Sequence, residues 1–205
     1  MQRLRLGFLA SHGGSNAQAI FDACRQGNLQ AEACVLISNN SRAPVRERAA
    51  RAGVPSFHIS SATHPQPEQL DAALVDVLQQ HRVELVCLTG YMKKLGPQTL
   101  RSYRGRILNI HPSLLPKFGG RGMYGLRVHE AVIAAGESES GATVHLIDGE
   151  YDRGSILAQE RVAVHPNDTP ATLQARVLAV EHRMYVETLQ QIATGALAVE
   201  GLVRD

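Results

Sequence analysis

Ten residues near the middle of the chain, NIHPSLLPKF at 109–118, combine two chemically useful side chains with a rigid exit. Asn109 and His111 stand two apart at the end of an apolar run, RILNI (106–110), that reads as a buried strand. On an extended chain such residues project to the same face, so a hydrogen-bond donor and a proton-carrying imidazole are held side by side. Pro112 and Pro116 follow at once. Proline lacks an N–H and fixes φ, so the chain must leave the sheet along a stiff path. Histidine changes charge near neutrality and asparagine can donate to a developing oxyanion, which suits the pair to acid–base work at a carbonyl. A lone histidine is usually structural; the adjacent Asn109 and the proline-flanked exit weigh against that here.

Two further loops carry chemistry. SHGGSN (11–16) follows the first apolar run and precedes a helical pattern. Its glycines let backbone N–H groups approach a ligand closely, and the next helix presents its positive end. Gly13, Gly14, Ser15 and Asn16 could therefore cradle a phosphate, or Ser15 or Asn16 could simply cap the helix. The loop is neither a dinucleotide GxGxxG nor a P-loop, since no lysine follows. An acid–base histidine also benefits from a carboxylate that stabilises its charged form. The turn DGEYDRG (148–154) offers Asp148, Glu150 and Asp152, and spacing does not choose among the three.

Strand and helix signals alternate over roughly the first 110 residues. Strand-like runs are expected at Leu4–Ala10, EACVLIS, PSFHIS, ELVCLTG and RILNI. Between them lie AQAIFDACRQG, a PVRERAARAG helix from Pro44, the amphipathic PEQLDAALVDVLQQH and a short PQTLRSY. Such alternation argues a parallel, doubly wound α/β sheet. The rhythm then changes: a Gly-rich stretch, a helix near LRVHEAVIAAG, and two strand-like runs, GATVHLI and GSILAQERVAV, which read as an antiparallel pair. A long helix from about Thr169 to Ala193 closes the pattern, with Asp168 as its expected N-cap. In open parallel sheets ligands bind beyond the carboxyl ends of the strands, so the loops after the first, fourth and fifth strands are the candidate site.

Composition narrows the classes. The 205 residues fit one domain, 44% hydrophobic and 20% charged, as in ordinary globular chains. A net charge of +2 spread along the chain carries no nucleic-acid or membrane signature. Cys24, Cys34 and Cys87 lack paired spacing and are expected to be reduced, buried thiols of a cytoplasmic protein, with no metal-ligand spacing among them. The apolar start is too short for a signal peptide or a span.

NIHPSLLPKF, GATVHLI and the YDRG turn together resemble the folate-dependent formyltransferases. SHGGSNAQAI and GYMKKL are similar to the branch of that family that formylates glycinamide ribonucleotide in purine synthesis, and the likeness runs from Leu4 to about Tyr185. The resemblance implies a Rossmann-like formyltransferase fold and 10-formyltetrahydrofolate as co-substrate, with no metal. It implies glycinamide ribonucleotide and the folate as small-molecule partners, and a monomer or homodimer. It also implies division of one domain, 1–205, into a phosphate-binding half to about 110 and a folate and catalytic half from 111. Asn109, His111 and Asp152 would be the catalytic trio, Asp152 being selected from its turn only by the match. Gly13, Gly14, Ser15 and Asn16 would hold the ribosyl phosphate and Glu181 the ribose. Met92, Lys93, Lys94 and Leu95, with Asn109, would line the folate pocket, and the turn Asp148, Gly149, Glu150, Tyr151 and Asp152 would close over the pterin. His145 also matches a family histidine.

The chain departs from the family pattern in places. His12 stands where asparagine is common, GGRGMYGLRVH replaces a loop often written with Pro-Gly and histidines, and ATHPQPEQ lacks an arginine that some members direct at the folate tail. Deformylases and the methionyl-tRNA enzyme carry additional domains, and sugar amine formyltransferases would not need this Gly-Ser-Asn loop. A binding protein that kept the fold without catalysis is disfavoured by the intact trio.

Overall fold

The protein is described by a computed structural model covering residues 3–149 and 152–200. Glu150 and Tyr151, expected in the folate loop, lie outside the described residues. The elements in chain order are β1 (Leu4–Ala10), α1 (Ser15–Gln26), β2 (Ala31–Ser38), α2 (Pro44–Arg51), β3 (Ser56–His58), α3 (Pro67–Gln80) and β4 (Leu85–Leu88). They continue with α4 (Pro97–Ser102), β5 (Ile107–His111), α5 (Leu126–Ala134), β6 (Glu139–Leu146), β7 (Ile156–Ala163) and α6 (Pro170–Ala193). The strands form one sheet in the order β3-β2-β1-β4-β5-β6-β7. The first five pair in parallel. β6 and β7 add antiparallel to that edge, so the doubly wound sheet with an antiparallel C-terminal pair and a long last helix is the observed architecture.

The sheet is covered on both faces, and the period of two decides which residue goes where. Leu4, Leu6, Phe8, Leu36, Leu85, Cys87, Leu108 and Ile110 face the core formed with α1, α2, α5 and α6. Their sequence neighbours Leu9, Val35, Ile37, Val86, Leu88 and Ile107 face the second core, under α3 and α4. On β5 this alternation leaves Asn109 and His111 on the face of Ile107, opposite Leu108 and Ile110. Proline opens α2, α3, α4 and α6, where its missing N–H costs nothing, and Gly27 ends α1 in the left-handed conformation. The three cysteines are free, with Cys34 and Cys87 buried and Cys24 partly so. Burial pushes the Cys24 and Cys34 thiols up to about 11, as expected for reduced structural thiols. Among the described residues no helix is long and apolar enough to cross a membrane.

The start of α6 differs from the expectation. Its N-cap is Thr169, whose hydroxyl accepts from the Thr172 N–H in a reciprocal box, because Thr169 is the residue with extended φ/ψ. Asp168 stands one position earlier and is held by the Arg176 guanidinium at 2.8 and 2.9 Å and by the His165 N–H at 2.8 Å. Those bonds keep its carboxyl well below the usual carboxylate range. A carboxyl lowered by folding stabilises the protein above its unfolded value, about 4, and the effect is lost as the pH falls through the folded value. Asp168→Asn is expected to lower Tm by a few degrees near neutral pH, with the deficit shrinking below about pH 4, as read by calorimetry across that range.

Candidate active site

The strand order reverses between β1 and β4, and crevices in such sheets open there. A cleft of about 750 Å³ occupies this position and reaches across the end of β5. Ser11, at the exit of β1, ties the two sides together. Its N–H donates to the Gly90 carbonyl at 3.0 Å, and its hydroxyl accepts from the Met92 N–H at 2.8 Å while donating to Asn39. The far end of the same loop is fixed by Asp71 of α3. That carboxylate accepts from the N–H groups of Gln98 and Thr99 at 2.7 and 3.0 Å and from the Thr99 hydroxyl at 2.6 Å. Gly96 is required there, since a Cβ would lie 2.2 Å from the Asp71 carboxyl carbon. Met92, Lys93, Lys94 and Leu95 are therefore presented to the cleft from a loop pinned at both ends.

The antiparallel register of β5 against β6 builds the polar centre. Asn109 pairs with His145 and His111 with Thr143. Ala142 and Val144 point into the first core, so Thr143 and His145 share the face of Asn109 and His111. The His145 ring is fully buried, and burial lowers its pKa, so it stays neutral. Its Nδ1–H donates to the Leu146 carbonyl at 3.0 Å, which leaves Nε2 as the acceptor for the Asn109 amide at 3.1 Å. His111 Nε2 donates to the Phe118 carbonyl at 2.9 Å. Its Nδ1 faces Asp152 Oδ1 at 3.6 Å, and the same oxygen stands 3.6 Å from His145 Nε2. The other Asp152 oxygen accepts from the Gly120 N–H at 2.7 Å. Each His111 nitrogen thus faces an oxygen, the Phe118 carbonyl at hydrogen-bond distance and the Asp152 carboxylate further off. Thr143 makes the proline-flanked exit stiff: its hydroxyl donates to the Ser113 carbonyl at 2.6 Å and accepts from the Leu115 N–H at 3.2 Å.

At the other end of the cleft, Gly14 caps α1 with a positive φ of 65°. A Cβ there would also approach Val45 Cγ2 to 2.1 Å, so α2 and the turn both demand glycine. Ser15 and Asn16 line the cleft at the positive end of α1. The Asn16 amide donates to Glu181 Oε2 at 2.7 Å, while Asn16 Oδ1 is buried without a partner. Tyr185, one turn beyond Glu181 on α6, donates to the Leu108 carbonyl at 3.0 Å and so holds α6 against the strand that bears Asn109.

The cleft brings together Ser15, Asn16, Met92, Lys93, Lys94, Leu95, Asn109, His111, Gly149, Asp152 and Glu181. Gly13, Gly14 and Asp148 do not line it; the Gly13 carbonyl instead accepts from Arg48 Nε at 2.8 Å. Among the described residues of the turn that left three carboxylates open, Asp152 stands beside His111. Reading from sequence passed over Tyr91, His129, Gln174 and Leu178, which also form its walls. Gln174, Leu178 and Glu181 follow an i, i+4, i+7 stripe on α6 that was available as a signal. Among the described residues no cluster of three or more His, Cys, Asp or Glu side chains could hold a metal ion.

Burial pushes the Glu181 carboxyl up, opposed by the Asn16 hydrogen bond. A carboxyl raised by folding holds its proton more tightly in the native state, so stability falls as the pH rises from about 4. Glutamine keeps an acceptor for Asn16 without the charge. Glu181→Gln is accordingly expected to melt above the parent near neutral pH, with the lead vanishing toward about pH 4 in the same calorimetric series.

The geometry can be set beside known proteins. Residues 4–189 match the family model described as formyl transferase. The chain is 41% identical over 192 residues to the chloroplastic phosphoribosylglycinamide formyltransferase of Vigna unguiculata, covering 94% of this chain and 62% of the relative. It thus spans just under two thirds of that relative's length. Glycinamide ribonucleotide transformylase 1 from Symbiobacterium toebii superposes with a TM-score of 0.90 at 42% identity, over 98% of this chain and 92% of that one. Phosphoribosylglycinamide formyltransferase from Bacillus halodurans superposes with a TM-score of 0.86 at 38% identity, over 94% and 97% of the two chains. With the family match running from the first strand into the last helix, this chain belongs to the formyl transferase family.

Proposed function

We propose that the protein transfers the formyl group of 10-formyltetrahydrofolate to the amine of N1-(5-phospho-D-ribosyl)glycinamide. The products are formylglycinamide ribonucleotide and tetrahydrofolate, as part of de novo purine (IMP) synthesis. The observation that carries the reading is one cleft joining the Asn109, His111, His145 and Asp152 cluster to the Asn16–Glu181 pair. Likeness to glycinamide ribonucleotide transformylase 1, at 42% identity over nearly all of both chains, supports that acceptor.

The residues present fit a folate. Leu88, Leu95, Leu100 and Ile147 give apolar wall, as a flat heteroaromatic ring requires, and polar backbone from the 90–95 loop stands beside it. When bound, the folate supplies the formyl carbon. Ser15 and Asn16 at the α1 N-terminus are assigned the acceptor's phosphate, with Gly13 and Gly14 shaping the turn, and Glu181 its ribose. Met92, Lys93, Lys94 and Leu95, together with the turn of Asp148, Gly149 and Asp152, are assigned the folate. Binding therefore draws on both halves of a single unit.

The acceptor nitrogen gains a bond to the formyl carbon and loses a proton; the folate N10 loses that bond and gains a proton. We assign to Asn109 and His111 the stabilisation of the negative charge that develops on the formyl oxygen, a contribution of about 3 kcal/mol per donor at comparable sites. Asp152 supports the charged form of His111 and, with it, carries the proton from one nitrogen to the other. Holding both substrates in one cleft supplies the positional share of the acceleration. We assign the protein to the cytoplasm as a monomer or homodimer, acting on small molecules and on neither nucleic acid nor membrane.

The test is absorbance at the folate with and without the ribonucleotide. Consumption only with ribonucleotide is expected; consumption without it would make water the acceptor and the protein a deformylase. Asn109→Ala, His111→Ala and Asp152→Asn are each expected to lower kcat by about 10²- to 10⁴-fold with unchanged circular dichroism. A His111→Ala variant turning over at the parent rate would overturn the assignment.

A further inference from the structure

His129 of α5 is the one buried histidine of the cleft for which the mechanism above has no use. It is 1% exposed and its ring forms part of the cleft wall. Its Nδ1 is sealed from solvent without a partner, and among the described residues no hydrogen bond reaches either ring nitrogen. Buried polar groups are ordinarily satisfied, because each unmade bond leaves its desolvation uncompensated. Its buried neighbours on the helix are Val128 and Val132, so the fold asks for an apolar side chain here, not an imidazole.

Its place in the molecule says what the ring is for. Helix α5 packs on α6, and α6 packs on α1. His129 thus reaches the cleft from a helix packed on the one that carries Gln174 and Glu181. It is also near enough to His111 for that ring to act on it electrostatically; with burial, this holds its pKa down to about 4 and keeps it neutral. Nε2, the ring nitrogen that is not sealed, can donate to or accept from an amide or an amine according to tautomer. Between the ribose end and the proton-transfer centre, the acceptor has only such groups to present.

The geometry points to His129 as a binding residue for the glycinamide segment of the acceptor, orienting its amide or amine toward His111. This rests on the acceptor proposed above. It predicts that the imidazole is retained at the expense of stability, a pattern found where function overrides packing.

His129→Phe and His129→Gln distinguish a substrate contact from a structural role. His129→Phe is expected to melt at or above the parent, because an unpaired polar group is replaced by an apolar one. Its KM for glycinamide ribonucleotide should rise by about tenfold while the KM for 10-formyltetrahydrofolate is unchanged. His129→Gln, which keeps a donor and an acceptor, should recover most of that loss. In parent protein carrying ¹⁵N-histidine, glycinamide ribonucleotide alone should move the His129 ring resonances and the folate alone should not. An unchanged ribonucleotide KM in a folded Phe variant, a rise confined to the folate KM, or ring resonances that answer only to folate would each overturn the proposal. Were the Phe variant unable to fold, the ¹⁵N measurement would decide it. Absence of ribonucleotide-dependent turnover in the parent would defeat the functional reading itself, independently of the variants.

Discussion

The registration of β5 against β6 is the constraint on which the site depends. Strand faces alternate with a period of two, so a slip of one residue would exchange Asn109 and His111 for Leu108 and Ile110. It would place amide and imidazole in the apolar core under α6 and turn leucine toward the cleft. The antiparallel pair beyond β5 is thus more than an edge extension. β6 delivers His145 opposite Asn109 and Thr143 opposite His111, and both partners then fix what β5 presents to the cleft. Tyr185 repeats the logic from the other side of the sheet, reaching the backbone of the same strand from α6.

Around this centre the protein tolerates polar groups that its core does not. Glu181 is buried and pushed toward its neutral form, His145 and His129 are held neutral, and Asn16 Oδ1 has no partner. All four line or adjoin one cleft, whereas the strand residues of the two core clusters are apolar.

Much of this was legible in the sequence. The β/α alternation gave the parallel part of the sheet because buried strands and amphipathic helices differ in period, and the proline and glycine punctuation marked their ends. Asn109 and His111 were legible because their spacing is local to one strand. Asp152 was not separable from Asp148 and Glu150, since a turn's side-chain directions depend on long-range packing; in the fold its positive φ of 55° and the Gly120 contact bring it to the histidines. The N-cap of α6 went to Thr169 instead of Asp168 because an arginine two turns along the chain claimed the aspartate. His129 reaches the cleft only through the packing of helices distant in sequence, which no local pattern encodes, whereas Gln174 shares with Leu178 and Glu181 a stripe along α6.

Asp152 occupies a junction. One of its oxygens is equidistant, at 3.6 Å, from rings on two different strands, and the other is bonded to the glycine rim that precedes α5. Three segments far apart along the chain are thereby keyed to one carboxylate. One side chain thus couples the polar centre of the sheet to the glycine stretch that precedes α5. A change at that side chain is felt at both rings and at the rim together, so none of the three can be altered independently of the others.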